Sequence, residues 1–217
     1  MPNLSAKEIW KEAWRSPVKK PRLIIILILI PIFFSLLPLF FNYIEKRNGV
    51  VLHDILLARI PPHNVSIIIF AVIWTMIILI LYRSARNPSV FITYCLTLAL
   101  VTTARLICIS LVPLSPPIGL IPLTDPISGI FYGEASVTKD LFFSGHTATL
   151  ATIFFCLEKR SDKIMGLFAV IIVAILLLIQ HIHYTIDIIT APIVVYVLYR
   201  ITCRFLFREG KQQDVLD

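Results

Sequence analysis

Apolar residues fall along this chain in six runs separated by short polar stretches. A helix needs ~20 mostly apolar residues to cross a ~30 Å hydrocarbon core. The runs at about 23–44, 64–82, 89–112, 141–157, 164–182 and 184–206 reach or approach that length. The fourth is short, and the fifth and sixth meet at His181 to Tyr184, which demands a tight turn. Pro31, Pro38 and Pro192 lie inside runs and are expected to kink their helices. Ahead of the first run the pattern changes. Over residues 4–16, Ile9, Trp10, Ala13 and Trp14 make one apolar stripe while Lys7, Lys11 and Arg15 face away, as in a helix lying in the membrane interface. Ser5 and Glu8 have capping-box spacing, Leu4 and Ile9 stand where a hydrophobic staple would, and Pro17 ends the segment. The pattern predicts an all-α, polytopic integral membrane protein. Residues 1–22 form an interfacial segment, 23–207 a six-helix transmembrane catalytic domain and 208–217 a tail.

Composition agrees with the pattern. The chain is 58% hydrophobic and 15% charged, with a mean hydropathy of +0.86, too few polar residues for the shell of a soluble domain of 217 residues. The net charge of +7 raises nucleic acid as a partner, but the basic residues sit between apolar runs and not in a patch with interleaved aromatics. Membrane topology explains them better, and no nucleic acid is expected. If the runs alternate in direction, fifteen Lys and Arg residues fall on one side and four (Lys46, Arg47, Arg59, Lys139) on the other, with Arg105 inside a span. Both termini are therefore expected in the cytoplasm. Cys95, Cys108, Cys156 and Cys203 all lie in apolar runs without metal-ligand or CxxC spacing. The first run is too long for a cleaved signal peptide and reads as a retained anchor.

This topology brings ionisable residues together. Arg105 falls in the outer half of the third span, Asp140, Ser144 and His146 at the start of the fourth, and His181, His183 and Asp187 at the junction of the fifth and sixth. A charged side chain within the bilayer costs ~2.5–3.5 kcal/mol even on the gentler scales, so such groups face a cavity or a partner. His183 and Asp187 are four apart and share a face if helical. A carboxylate on one ring nitrogen fixes the tautomer and leaves the other free to attack an electrophile. His146 has the chemistry of a general acid, and Ser144-Gly145 at a helix start offers amides and a hydroxyl to an anion. Arg105 can neutralise a phosphoryl oxygen. Taken singly, each has a plainer reading: a structural His–Asp pair, a common Ser-Gly-His, a packing arginine, an interfacial His181. Only their meeting at one membrane depth points to catalysis.

At these residues the chain resembles the sphingomyelin synthase family, a branch of the type-2 phosphatidic acid phosphatase superfamily. The family pattern of Asp, three residues, Ser-Gly-His-Thr stands here as Asp140 to Thr147, and its His-Tyr-Thr/Ser-x-Asp as His183 to Asp187. Leu52 to Leu57 followed by Ile60-Pro61 is similar to the family's first outer loop, and Arg105 with Leu111 to Pro117 to its third helix and the loop after it. The resemblance implies His183 as a nucleophile forming a phosphohistidine, Asp187 as its activator, and His146 as the acid and then the base. Asp140 would orient His146. The implied partners are membrane lipids, with a phospholipid donor and a ceramide or diacylglycerol acceptor, and no cofactor. His181, His183 and Asp187 can be drawn as metal ligands, but the phosphohistidine reading is more economical, so no metal is expected. The chain departs from the pattern at Thr138-Lys139, where the family carries Cys-Gly, and at Arg83 and Arg86, which stand apart where paired arginines are usual. The superfamily's Lys-x6-Arg-Pro motif is missing and its Ser-Arg is Leu176-Leu177, which argues against a plain phosphatase of soluble substrates. A hydrolase using water at the same site is the alternative. A non-catalytic lipid-binding or transport protein that keeps the fold is the reading from another class. Short termini and compact loops point to a bacterial inner membrane with a periplasmic site, ahead of a Golgi or plasma membrane.

Overall fold

The computed structural model describes residues 5–124 and 137–213. Among them the chain is all-helical: α1 (Ala6–Arg15), α2 (Lys19–Glu45), α3 (Ser66–Arg86), α4 (Pro88–Leu111), α5 (Gly145–Cys156), α6 (Arg160–Ile179) and α7 (Thr185–Gln213). One 3-10 turn at Leu57–Arg59 and an isolated bridge between Val50 and Leu114 complete the regular structure. Five helices (α2, α3, α4, α6 and α7) are long and apolar enough to cross a membrane. Their outward faces carry apolar side chains, with Phe34 62% and Leu39 68% exposed, which suits lipid and not water. α2 and α7 run through Pro31, Pro38 and Pro192 without interruption.

The fourth expected span is where pattern and structure part. Residues 141–157 read as one apolar run, yet only Gly145–Cys156 is helical. Twelve residues at 1.5 Å each give ~18 Å, short of the ~30 Å core. Residues 141–144 are not helical because their backbone is bonded elsewhere: Phe143 O accepts from Arg105 Nε at 3.0 Å, and Ser144 N donates to Asp187 O at 3.2 Å. A short helix is tolerable here because α3, α4, α6 and α7 all pack on it. Ala148, Leu150, Ala151, Thr152 and Ile153 are buried, and α5 is the axle of the bundle. Ile69, Ile73, Met76 and Ile80, spaced by three and four along α3, meet Leu150 and Ile153 of α5 and Val173 and Leu177 of α6.

The capping box of α1 is fully formed, with Ser5 N donating to Glu8 Oε2 at 2.8 Å and Glu8 N to Ser5 Oγ at 3.4 Å. Leu4 of the expected staple lies outside the described residues. The α1 stripe packs on protein: Ala13 is buried with Leu23, Ile26 and Ile92, and Trp10 Nε1 donates to Ala85 O at 2.8 Å. α2 begins at Lys19, earlier than the apolar run, because Ser16 accepts from the Lys19 and Lys20 amides and starts the helix in the basic stretch. α7 continues into the expected tail as far as Gln213, and residues 214–217 lie outside the described set.

Side-chain bonds define two ends. At one, Arg22 Nη2 reaches Leu206 O at 3.3 Å, Arg83 grips Asp162 with two bonds of 2.6 and 3.1 Å, and Asn87 meets Glu158 at 3.2 Å. This end gathers the basic residues. At the other, the α2–α3 and α4–α5 loops are stitched together. Val50 and Ser115 exchange backbone bonds with Pro113 and Val50 at 3.0 Å, an approach only Gly49 permits, since a Cβ there would strike the Leu114 carbonyl.

Candidate active site

The site is built at this second end, where α5 and α7 begin. Ser144 caps α5: its Oγ accepts from Thr147 N at 3.4 Å, and it is wholly buried. Of the two donors expected to greet an anion, the amide is committed to Asp187 O, while the hydroxyl accepts from Thr147 N and keeps its own proton to donate. The Gly145 and His146 amides make no hydrogen bond among the described residues and are the free donors of that first turn. Arg105 lies against them. Its Nη2 donates to Asp140 Oδ1 at 2.6 Å and its Nε to Phe143 O. A Cβ on Gly145 would come within 2.6–2.8 Å of the guanidinium, so the glycine is what lets the cation approach the helix start. A cation beside a helix N-terminus is electrostatically unfavourable unless an anion joins it. Asp140 supplies one, and the free amides make room for another.

Asp140 was expected to orient His146. Its carboxylate instead pairs with Arg105, and His146 Nδ1 is buried with no hydrogen-bond partner. The segment that brings Asp140 in is anchored by the residues that depart from the family pattern. Thr138 and the Lys139 amide bond the Glu45 carboxylate, while Lys139 Nζ reaches Glu45 O at 2.8 Å and also bonds Arg47 O. These positions tie the strap to the end of α2.

His183 and Asp187 do not share a helical face as the spacing suggested, because α7 starts at Thr185 and His183 precedes it. They meet because Asp187, at the third helical position, folds back across the helix start. Its Oδ2 accepts from Tyr184 N at 3.2 Å and lies 3.5 Å from His183 Nδ1, and both side chains are almost fully buried. The His183 contact is not aligned as a hydrogen bond, and His183 Nδ1 and Asp187 Oδ1 remain unpartnered. Catalytic hydrogen bonds of this kind often tighten only with substrate. The His146 and His183 rings stand 6.2 Å apart, centroid to centroid, inclined at 62°. Phe70 closes on the other side of His146, also at 6.2 Å. Near-attack contacts are ~3–3.5 Å, so a phosphorus held between the two histidines needs one nitrogen of each within that reach.

Around this pair lie Tyr184 and His181, both named in the sequence, and Gln180 and Asp54, for which sequence reasoning had no role. Tyr184 is buried, its hydroxyl donating to Ser115 O at 2.9 Å and accepting from Leu52 N at 3.2 Å. His181, in a left-handed backbone with φ 55°, sets each ring nitrogen 2.8 Å from a carbonyl oxygen, Ile118 on one side and Ile60 on the other. That is a structural use of the histidine, joining two loops to the α6–α7 turn. Gln180 Nε2 bonds Ser66 Oγ at 2.7 Å and Ile121 O at 3.2 Å. A pocket of about 590 Å³ opens beside these loops, walled by Asp54, Arg59, Ile60, His181 and Tyr184 among others, and neither His146 nor His183 lines it. For Asp54 the signal in the sequence is His53-Asp54 itself, because a carboxylate in a largely apolar loop needs a partner.

Two closely spaced histidines at the starts of α5 and α7, one with a carboxylate at its back, and an arginine against the α5 start make up the candidate site. Residues 139–204 match the family model for the C-terminal region of the PAP2 superfamily. The match covers both histidine motifs but not Arg105 or the α2–α3 loop. It supports a place in the type-2 phosphatidic acid phosphatase superfamily, whose members are phosphatases and phosphotransferases acting on phosphate esters. The chain has no significant match among curated proteins.

Proposed function

We propose that the protein is an integral-membrane lipid phosphotransferase. In this reading it moves a phospho-head-group from a phospholipid to the hydroxyl of ceramide or diacylglycerol. The observation that carries the reading is the closeness of His146 and His183, whose ring centroids stand 6.2 Å apart, with Asp187 on the Nδ1 side of His183. Asp187, 3.5 Å from Nδ1, closes on it as substrate binds and then holds the proton there, so Nε2 attacks phosphorus. The bond from phosphorus to the diacylglycerol oxygen breaks, and His146, protonated, gives its proton to that oxygen. The head group is then held on His183 through a P–N bond. His146 next takes the proton of the acceptor hydroxyl, whose oxygen attacks phosphorus as the P–N bond breaks. Arg105 and the Gly145 and His146 amides carry the phosphoryl charge. The bundle spans the membrane six times, the short α5 counting as the fourth span, with both termini in the cytoplasm and the site at the opposite face. The excess of basic residues at the far end supports that orientation.

The same first step followed by attack of water makes a lipid phosphatase or phospholipase C-like hydrolase, a reading the superfamily match fits as well as it fits transfer. Purified protein in detergent, given labelled phospholipid with and without ceramide or diacylglycerol, separates the two. Transfer requires that product depend on the acceptor. Head-group release at the same rate without acceptor would establish hydrolysis instead.

A further inference from the structure

We propose that Asp54, in the loop between α2 and α3, is a positioning residue for the His183–Asp187 pair, acting by capping α7 from across the fold. This rests on the reading of His183 as nucleophile. The Asp54 carboxylate takes four donors. Oδ2 accepts from Thr185 N at 2.6 Å, and Oδ1 accepts from Thr185 Oγ1 at 3.0 Å and from the Leu56 and Leu57 amides at 3.1 Å each. Thr185 is the first residue of α7, two after His183 and two before Asp187. Helix starts leave amides without intrahelical partners, and a nearby side-chain oxygen ordinarily satisfies them. Here two carboxylates share that task. Asp187 holds the Tyr184 amide and Asp54, 131 positions away, holds the Thr185 amide.

The division matters because Asp187 has a second duty. Its Oδ1 is buried without a partner and its Oδ2 stands 3.5 Å from His183 Nδ1. With Asp54 gone, the Thr185 amide loses its acceptor at a helix start where Asp187 is already the local capping carboxylate. Asp187 then turns toward the amides and away from the imidazole. Asp54 keeps Asp187 available to His183, and the tie also fixes the α2–α3 loop against the site.

The test compares wild type with Asp54→Ala and Asp54→Asn in the full-length protein in detergent. Three quantities are read: melting temperature, kcat and KM for phospholipid turnover, and the tautomer of His183 from ¹⁵N shifts of histidine-labelled protein. Asparagine keeps the size and one acceptor oxygen, so it serves if the alanine variant does not fold. The expected result is a kcat lower by about 10- to 100-fold with KM little changed, and loss of the single Nδ1–H form of His183 in favour of mixed tautomers. A folded variant with unchanged His183 tautomer and unchanged kcat, whatever its melting temperature, overturns the proposal and leaves Asp54 as a loop anchor. If wild type turns over no lipid, the catalytic reading fails by itself, while the tautomer measurement still decides whether Asp54 governs the pair.

Discussion

At the basic end of the bundle Arg83 closes on Asp162 with two hydrogen bonds, and Asn87 reaches Glu158. At the site end His146 Nδ1, Thr147 Oγ1, His183 Nδ1 and Asp187 Oδ1 are buried with no partner. They are four of the eight such side-chain atoms among the described residues, the other four being scattered over α3, α4 and the α2–α3 loop. An unsatisfied buried polar atom costs ~1–3 kcal/mol, so a cluster of them is not kept for stability. The neighbouring His181 makes the same point within three residues, since both its nitrogens face carbonyl oxygens while His183 Nδ1 faces a carboxylate it does not quite bond. At the basic end these polar groups hold helices together. At the site end, bonded groups such as Arg105 and Asp140 stand beside four that are left open.

Removing the open groups should therefore abolish turnover without unfolding the protein. His183→Ala is expected to lower kcat by ~10⁴-fold or more, as loss of a nucleophile does, and to leave no acid-labile phosphoenzyme in a rapid-quench experiment with labelled lipid. His146→Ala should cost about 10²–10⁴-fold. Unchanged turnover in both variants would return the protein to the lipid-binding or transport reading.

A subtler disturbance of the same end is Gly145→Ala. The added methyl meets the Arg105 guanidinium, which is held by Asp140 and Phe143 O and cannot withdraw without breaking those bonds. Activity should fall by on the order of 100-fold through misplacement of the cation, with the melting temperature nearly unchanged. A fully active Gly145→Ala protein would show that Arg105 does not need its place at the α5 start. At the paired end the pattern should reverse. Asp162→Asn is expected to lower the melting temperature while kcat stays at the wild-type value, and a loss of kcat there would erase the distinction between the ends.

The smallest expected effect is on acid stability. Burial alone would raise the Asp54 carboxyl, but hydrogen bonds from Thr185, Leu57 and Leu56 outweigh it and hold the group below its ordinary value. A carboxyl depressed in the folded state stabilises fully above the unfolded value, near about pH 4. That contribution is lost as pH falls through the lower native value. Melting temperature measured from pH 6 downward should drop less steeply for Asp54→Asn than for wild type, and identical acid slopes would deny the tie its electrostatic part.

The helical character of the chain, the five long apolar helices and the α1 capping box were all legible in the residues, because each depends on neighbours a few positions apart. Long apolar runs have few foldable alternatives in a bilayer, where backbone groups must be satisfied within the segment. The grouping of Arg105, His146, His183 and Asp187 was legible too, since alternating helices fix which ends coincide. What the pattern misjudged was local conformation under tertiary bonds. An apolar run over 141–157 became a twelve-residue helix because Arg105 and Asp187 claim the backbone of its first residues. His183 and Asp187 meet through a capping turn and not a helical face, and Asp140 faces Arg105 instead of His146. Partners separated by tens of residues, such as Glu45 with Lys139 or Asp54 with Thr185, leave no trace in spacing. Sequence alone determines which segments prefer lipid and which groups are costly to bury. Only the folded chain decides which of those groups find partners, because that depends on where distant backbone is brought to rest.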